Sequence, residues 1–421
     1  MREPPAMADR VEHAHKAAER AARESYGRLI AFLAARTRDL AGAEDALADA
    51  FAAALRTWPE RGVPANPDGW LLTAARHRQT DAARRRQTQA MGEEHLQLMA
   101  EEIKEASQMS DEIPDRRLAL MFACAHPAIE SGMRAPLILQ TILGLTAEAI
   151  AAAFLLPPGT MGQRLVRAKA RIRQAGTPFR VPDPDELPER LDAVLEAIYA
   201  AYSKAWAEIG DDGTTPFAEE AIWLGRLVVA LLPEAPEAKG MLALILYTEA
   251  RGAARRDSTG TYVPLDEQDI ALWDEEQIQM AEALLRDANA AGPSGRYQIE
   301  AAIQSAHITR RVCGRDTRHA ILALYDHLLA LTGSPVAALN RAVARAAVDG
   351  PAAALLGMRP LASDKRMLVY QPYWAARGHL LAEAGHKAEA HEALTVAIGL
   401  STDEAVTRYL LGKREALRAF E

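Results

Sequence analysis

An all-α fold is what this chain of 421 residues predicts, on three observations. Alanine is abundant while aromatic residues make up only 5%, apolar residues recur at three- and four-residue spacing, and no useful stretch alternates as a strand does. The 49% hydrophobic content supports packed cores, and the length suits two or three domains. From Ala43 to Leu55, Leu47, Phe51 and Leu55 form one helical stripe. Glu44, Asp45 and Asp49 make an acidic edge that suits a protein partner better than DNA, although an ordinary amphipathic surface helix has the same pattern. Thr57 to Gly69 holds Pro59, Pro64 and Pro67 with two glycines and reads as a loop of fixed shape. Asn66, Pro67 and Asp68 then start a helix, Trp70 to Arg86, that carries five arginines against one aspartate. Trp70 at this junction is either a stacking platform for an unstacked base or a core residue.

The stretch from Leu145 to Arg173 reads as a helix, a tight turn and a basic second helix. Thr146 caps the first, Pro157, Pro158 and Gly159 end it, and Thr160 caps the second. In that second helix Met161, Leu165, Ala168 and Ile172 make a buried stripe, which leaves Gln163, Arg164, Arg167 and Arg171 on the other side. Gly159 to Arg180 contains six Lys or Arg and no Asp or Glu, so the face suits a phosphate backbone, with Gln and Arg placed to read base edges. A solvated helix hairpin with incidental basicity is the alternative.

Charge is segregated along the chain. Residues 1–182 carry +3, and the total of −8 leaves −11 for 183–421. Residues 87–115 hold eight acidic side chains and one lysine, an acidic tether between the two basic segments. Two cysteines, Cys124 and Cys313, are too few for a zinc site or a disulfide framework, and a buried thiol is the expectation for Cys124. No phosphate-binding loop, dinucleotide fingerprint or HExxH motif occurs, so no catalytic residue, metal or cofactor is expected. No long apolar run or signal-like start is present, which points to a cytoplasmic protein without a membrane partner.

Thr177 to Arg190 packs in four prolines and marks a boundary. Beyond it the spacing predicts helices over Leu191–Trp206, Glu219–Leu232, Ala238–Arg255, Gln268–Ala290, Tyr297–Arg311, Arg318–Leu331, Pro335–Val348, Tyr373–Ala384, Lys387–Gly399 and Asp403–Phe420. Trp374, Gly378, Leu381, Gly385, Ala390, Leu394 and Ala397 follow tetratricopeptide spacing, and Gly350 stands thirty-five residues before Gly385. Stacked hairpins of this kind offer a groove for a protein or peptide, or serve as architecture alone.

Taken in order, three motifs resemble the extracytoplasmic-function group of bacterial sigma factors. Ala43, Glu44, Asp45, Asp49 and Phe51 match its acidic helix, and Trp70, Leu71, Ala75, Arg76, Asp81, Arg84 and Arg85 match the basic helix after the loop. Leu145, Thr146, Ile150, Ala151, Gly159, Thr160, Arg164, Leu165, Arg167, Ala168 and Lys169 match the helix-turn-helix. Departures are Ala48 for Gln, His77 for Asn and Ala149 for Glu. The resemblance implies that Glu44, Asp45 and Asp49 bind core RNA polymerase and that Thr57 to Gly69 captures a flipped base of the minus-ten element. It implies that Trp70, Arg76, Arg78, Arg84 and Arg85 hold the opened strand. It implies that Thr160, Gln163, Arg164, Arg167, Lys169 and Arg171 face the minus-thirty-five element. The implied organisation is a polymerase- and minus-ten-binding domain (1–90), an acidic linker (91–115), a helix-turn-helix domain (116–180) and a tetratricopeptide-like helical domain (181–421). The segment Glu249 to Leu272 agrees with a subgroup of these factors that has such an extension, while Ile198 to Trp206 departs from it. A helix-turn-helix regulator with a helical-repeat sensor domain, or a repeat scaffold with incidental basic helices, fits the residues less fully.

Overall fold

Thr37 and Asp39 show how the first turn of the chain is made. Arg38 takes the left-handed backbone (φ 53°), and the Asp39 carboxylate accepts from the Gly42 N–H at 3.1 Å, which starts a new helix two residues after the last one stops. In this computed structural model, residues 7–87, 116–154, 156–177, 179–180, 182–183, 185–207, 216–290 and 294–418 are described. The acidic linker expected at 91–115 lies outside the described residues. The fold is all-α, 81% helical with no strand among the described residues, apart from one isolated bridge between Arg256 and Tyr262. It divides into two compact units, Met1–Ala201 and Tyr202–Glu421.

The first unit contains α1 (Met7–Thr37), α2 (Leu40–Arg61), α3 (Pro67–Gln87), α4 (Arg117–Cys124), α5 (Ser131–Leu143), α6 (Ala147–Ala153), α7 (Pro158–Ala175) and most of α8 (Leu187–Ala207). Alanines and Leu29, Ile30, Leu40 and Leu47 pack α1 against α2, and α3 closes on both. Ser25 and Arg28 of α1 each donate to Asp68 Oδ2 at 2.6 Å and anchor the start of α3. Gly27 lets α1 cross α5 closely, since a Cβ there would lie 2.1 Å from the Ile142 carbonyl oxygen.

Two local expectations are corrected. Thr57 to Arg61 is not loop, because α2 continues through Pro59 to Arg61. Burial of Trp58 (2% exposed) against Trp70 outweighs the hydrogen bond lost at the proline, and Gly62 (φ 87°) ends the helix by donating to the Trp58 carbonyl. Thr160 does not cap α7, which begins at Pro158; proline's fixed φ and missing N–H suit the first helical position. The stripe Met161, Leu165, Ala168 and Ile172 is buried as its spacing predicts, and Thr146 caps α6 through the Ala149 N–H.

The second unit is built of α9 (Pro216–Leu231), α10 (Pro236–Glu249), α11 (Glu275–Ala290), α12 (Arg296–Cys313), α13 (Arg318–Thr332), α14 (Pro335–Asp349), α15 (Pro351–Met358), α16 (Lys365–Leu368), α17 (Gln371–Glu383), α18 (Lys387–Leu400) and α19 (Glu404–Arg418). Sequential helices pair as hairpins. Gly378 lies directly against Leu394, where a Cβ would meet Cγ at 2.8 Å, and Leu381, Ala390, Leu394 and Ala397 are buried. The helices expected over Ala238–Arg255 and Gln268–Ala290 are both shorter: α10 stops at Glu249 and α11 starts at Glu275. Between them run short 3-10 turns; the Asp269 carboxylate caps the start of the last one through the Ala271 N–H, and the Asp274 carboxylate takes the Gln277 N–H at the start of α11.

Candidate nucleic-acid interface

Three surfaces of the first unit matter here, and each is set by a helix already described. On α2, Asp45 and Asp49 are exposed one turn apart and form no ion pair among the described residues. Glu44 differs. Its side chain is 17% exposed and pairs with Lys169 of α7 at 2.5 Å, and its second oxygen, Oε1, is buried without a hydrogen-bond partner among the described residues. Burial holds the Glu44 carboxyl above its ordinary range although the Lys169 ammonium pulls it down, and the same burial raises the neighbouring Tyr26 hydroxyl.

At the end of α2, Trp58, Pro59, Glu60, Arg61, Gly62 and Val63 line a groove of about 660 Å³ with Arg10 and His13 of α1. The indole N–H of Trp58 is buried and meets no acceptor among the described residues. Trp70 is half-buried with its ring edge-on to Trp58, centroids 5.5 Å apart, so it acts here as core packing for the loop. Arg76 lies over the Phe32 ring at 4.9 Å, and Arg78, two positions on, is exposed. The side chains of Arg84 and Arg85 lie outside the described residues.

On α7, Thr160, Gln163, Arg167 and Arg171 are exposed. Arg164 is half-buried and donates to Glu130 Oε1 at 2.6 Å, and Lys169 (14% exposed) turns inward to Glu44. The outward strip is therefore narrower than the sequence suggests: Gln163, Arg167 and Arg171 face solvent, while Arg164 and Lys169 are engaged. Glu130 and Glu44 as counter-charges escaped the sequence reading, because they stand 34 and 125 positions away from their partners. Cys124 is fully buried, its thiol 3.6 Å from the Thr141 hydroxyl and pushed up to about 12 by burial, which fits an inert core thiol. Among the described residues no group of His, Cys, Asp or Glu could hold a metal ion, and no helix is long and apolar enough to cross a membrane.

Comparison with known proteins adds the frame. Residues 22–89, which take in most of α1 and all of α2 and α3, match sigma-70 region 2, and residues 190–289 match a family of unknown function. An uncharacterized protein of Rhizobium meliloti (strain 1021) is 36% identical over 389 residues, 91% of either chain. No solved structure matches. With that extent of similarity, the chain belongs to one family with the Rhizobium meliloti protein, and its residues 22–89 carry a sigma-70 region 2.

Proposed function

We propose that the chain is a sigma factor of the extracytoplasmic-function group: it binds core RNA polymerase, directs it to promoters, helps open the minus-ten element and carries no catalytic chemistry of its own. The observation that carries this reading is the sigma-70 region 2 spread over α1 to α3, followed in the same unit by the basic α6–α7 hairpin. Asp45 and Asp49 are assigned to the polymerase. The groove beside Trp58, bounded by Arg10 and Arg61, is wide enough for an extruded base with its phosphate. Gln163, Arg167 and Arg171 are assigned to the minus-thirty-five duplex in a major groove, with Thr160 at the helix start contacting phosphate. Arg164 joins them once Glu130 releases it. The expected domain divisions, at 90, 115 and 180, remain part of this proposal.

In the second unit the hairpins are proposed as a tetratricopeptide-like groove for a protein or peptide. Gly350 and Gly385 support it, since they stand thirty-five positions apart, each at positive φ (86° and 84°) in the turn between two helices. The test is reconstituted transcription with the full chain, core polymerase and genomic promoter fragments. A specific transcript that disappears in R164A/R167A supports the proposal. No transcript from any fragment, together with DNA binding that survives R164A/R167A, would overturn it. Co-elution with core polymerase separates it from a helix-turn-helix regulator, which binds DNA alone.

A further inference from the structure

We propose that Arg251, Arg255 and Tyr262, where the long connection between α10 and α11 meets α12 in the second unit, form a binding site for a phosphate group. The proposal goes beyond the sigma reading and stands whether or not that reading holds. It starts from a buried charge that has no counter-charge. Arg251 is 8% exposed, and its guanidinium donates to two neutral groups, the Tyr247 carbonyl at 3.2 Å and Gln304 Oε1 at 2.7 Å. It forms no ion pair among the described residues. Arginine keeps its proton in a protein interior, so the charge persists although burial and the nearby Arg255 both disfavour it. A cation so placed calls for an anion.

The carboxylates of this neighbourhood are taken by other groups. Glu249 accepts from the Tyr202 hydroxyl at 3.0 Å, Asp266 pairs with Arg310, Glu267 with Lys413 at 3.4 Å and Asp403 with Arg256 at 3.7 Å. The Tyr262 hydroxyl forms no hydrogen bond among the described residues. Burial raises it while Arg255 and Arg251 both pull it down, so the phenol lies in the field of both guanidiniums. α19 holds the connection in place from outside: the Tyr262 N–H donates to the Ala405 carbonyl at 3.2 Å, and Arg408 donates to the Gly260 carbonyl at 2.8 Å. The three donors are therefore positioned before a ligand arrives, which lowers the ordering cost of binding. A phosphate group matches them better than a carboxylate. Its oxygens point in several directions, so two guanidiniums and a phenol can donate at once, and its charge near −2 balances both arginines.

The test titrates inorganic phosphate into the full chain at constant ionic strength, followed by calorimetry. One saturable phosphate per chain is expected, and R251Q weakens it about tenfold or more. Y262F removes a hydroxyl that has no other partner, leaves the hydrogen bonds of the fold intact and weakens phosphate about threefold. R366Q, from an exposed pair with Asp364 elsewhere in the unit, changes it less than about twofold. A measurement on the unaltered chain stands beside these variants. Burial, Arg310 and Arg251 hold the His307 imidazole down to about 4 with Asp266 opposing, so a phosphate on Arg251 moves it upward in histidine NMR. Glycerol phosphate that displaces inorganic phosphate identifies a phosphomonoester as the ligand, and its exclusion identifies the free anion. Absence of saturable binding, or binding that R251Q and Y262F leave unchanged, sinks the proposal. Acetate bound as tightly as phosphate, or phosphate bound with His307 unmoved, overturns it equally.

Discussion

Cationic side chains do opposite work in the two units. On α7, Arg167 and Arg171 are exposed and form no ion pair or hydrogen bond among the described residues. In the second unit, Arg251 is 8% exposed, donates to the Tyr247 carbonyl and to Gln304 Oε1, and pins the start of the long connection between α10 and α11. Arg310 pairs with Asp266 of that connection and Arg311 donates to the Gln268 carbonyl at 2.6 Å, so α12 clamps it along its length. Counting arginines therefore says little about nucleic acid. What matters is whether the cation has already been taken by the fold, and α7 shows both cases within three residues, Lys169 engaged and Arg167 available to a ligand.

That contrast can be broken or sharpened by substitution. The largest effect is expected at the crossing of α1 and α5. Gly27→Ala forces a methyl group against a backbone carbonyl that cannot rotate away, and should lower the stability of the first unit by about 4 kcal/mol in chemical denaturation. Gly378→Ala meets only the side chain of Leu394 and its amide, and should cost clearly less. Next comes a pH dependence confined to the second unit. His307 is held down to about 4 by burial and by Arg310 and Arg251, with Asp266 opposing. Its neutral form is the folded one, so the stabilisation is complete above pH 6.5 and is lost as pH falls from 6.5 toward 4, roughly 3 kcal/mol in all. H307Q should flatten that slope in thermal unfolding followed across the same range.

Arg251→Ala should destabilise the second unit by about 2 kcal/mol and leave duplex affinity unchanged. Arg167→Ala should do the reverse: stability within about 0.5 kcal/mol, duplex binding weakened about tenfold and the salt dependence lowered by about one ion. If R251A weakens DNA binding as much as R167A, the division of roles is wrong. The smallest effect is expected from Asp49→Asn, about 0.5 kcal/mol in binding to core polymerase, read by competition with wild-type chain.

Helix content and the apolar stripe of α7 were legible in the sequence because both depend on neighbours within four positions, where spacing and geometry correspond directly. The same holds for the Thr146 and Asn66 caps, and for the paired turns at Gly350 and Gly385. The run from Gln268 to Ala290 shows where such reasoning stops. Ile270 and Leu272 lie within the expected helix yet sit exposed in a 3-10 turn, because Asp269 takes the Ala271 N–H and Arg311 of α12 takes the Gln268 carbonyl. Trp58 and Trp70 extended α2 through a proline for a similar reason: packing across the loop outweighed a local breaker.

By itself, the amino-acid order determined which segments are helical, which faces are apolar and where basic and acidic residues gather, since these are short-range properties of the chain. Only the folded arrangement decided which charges remain available. Glu44 and Lys169 sit 125 positions apart, and no periodicity could announce that burial between α2 and α7 would make each the counter-ion of the other.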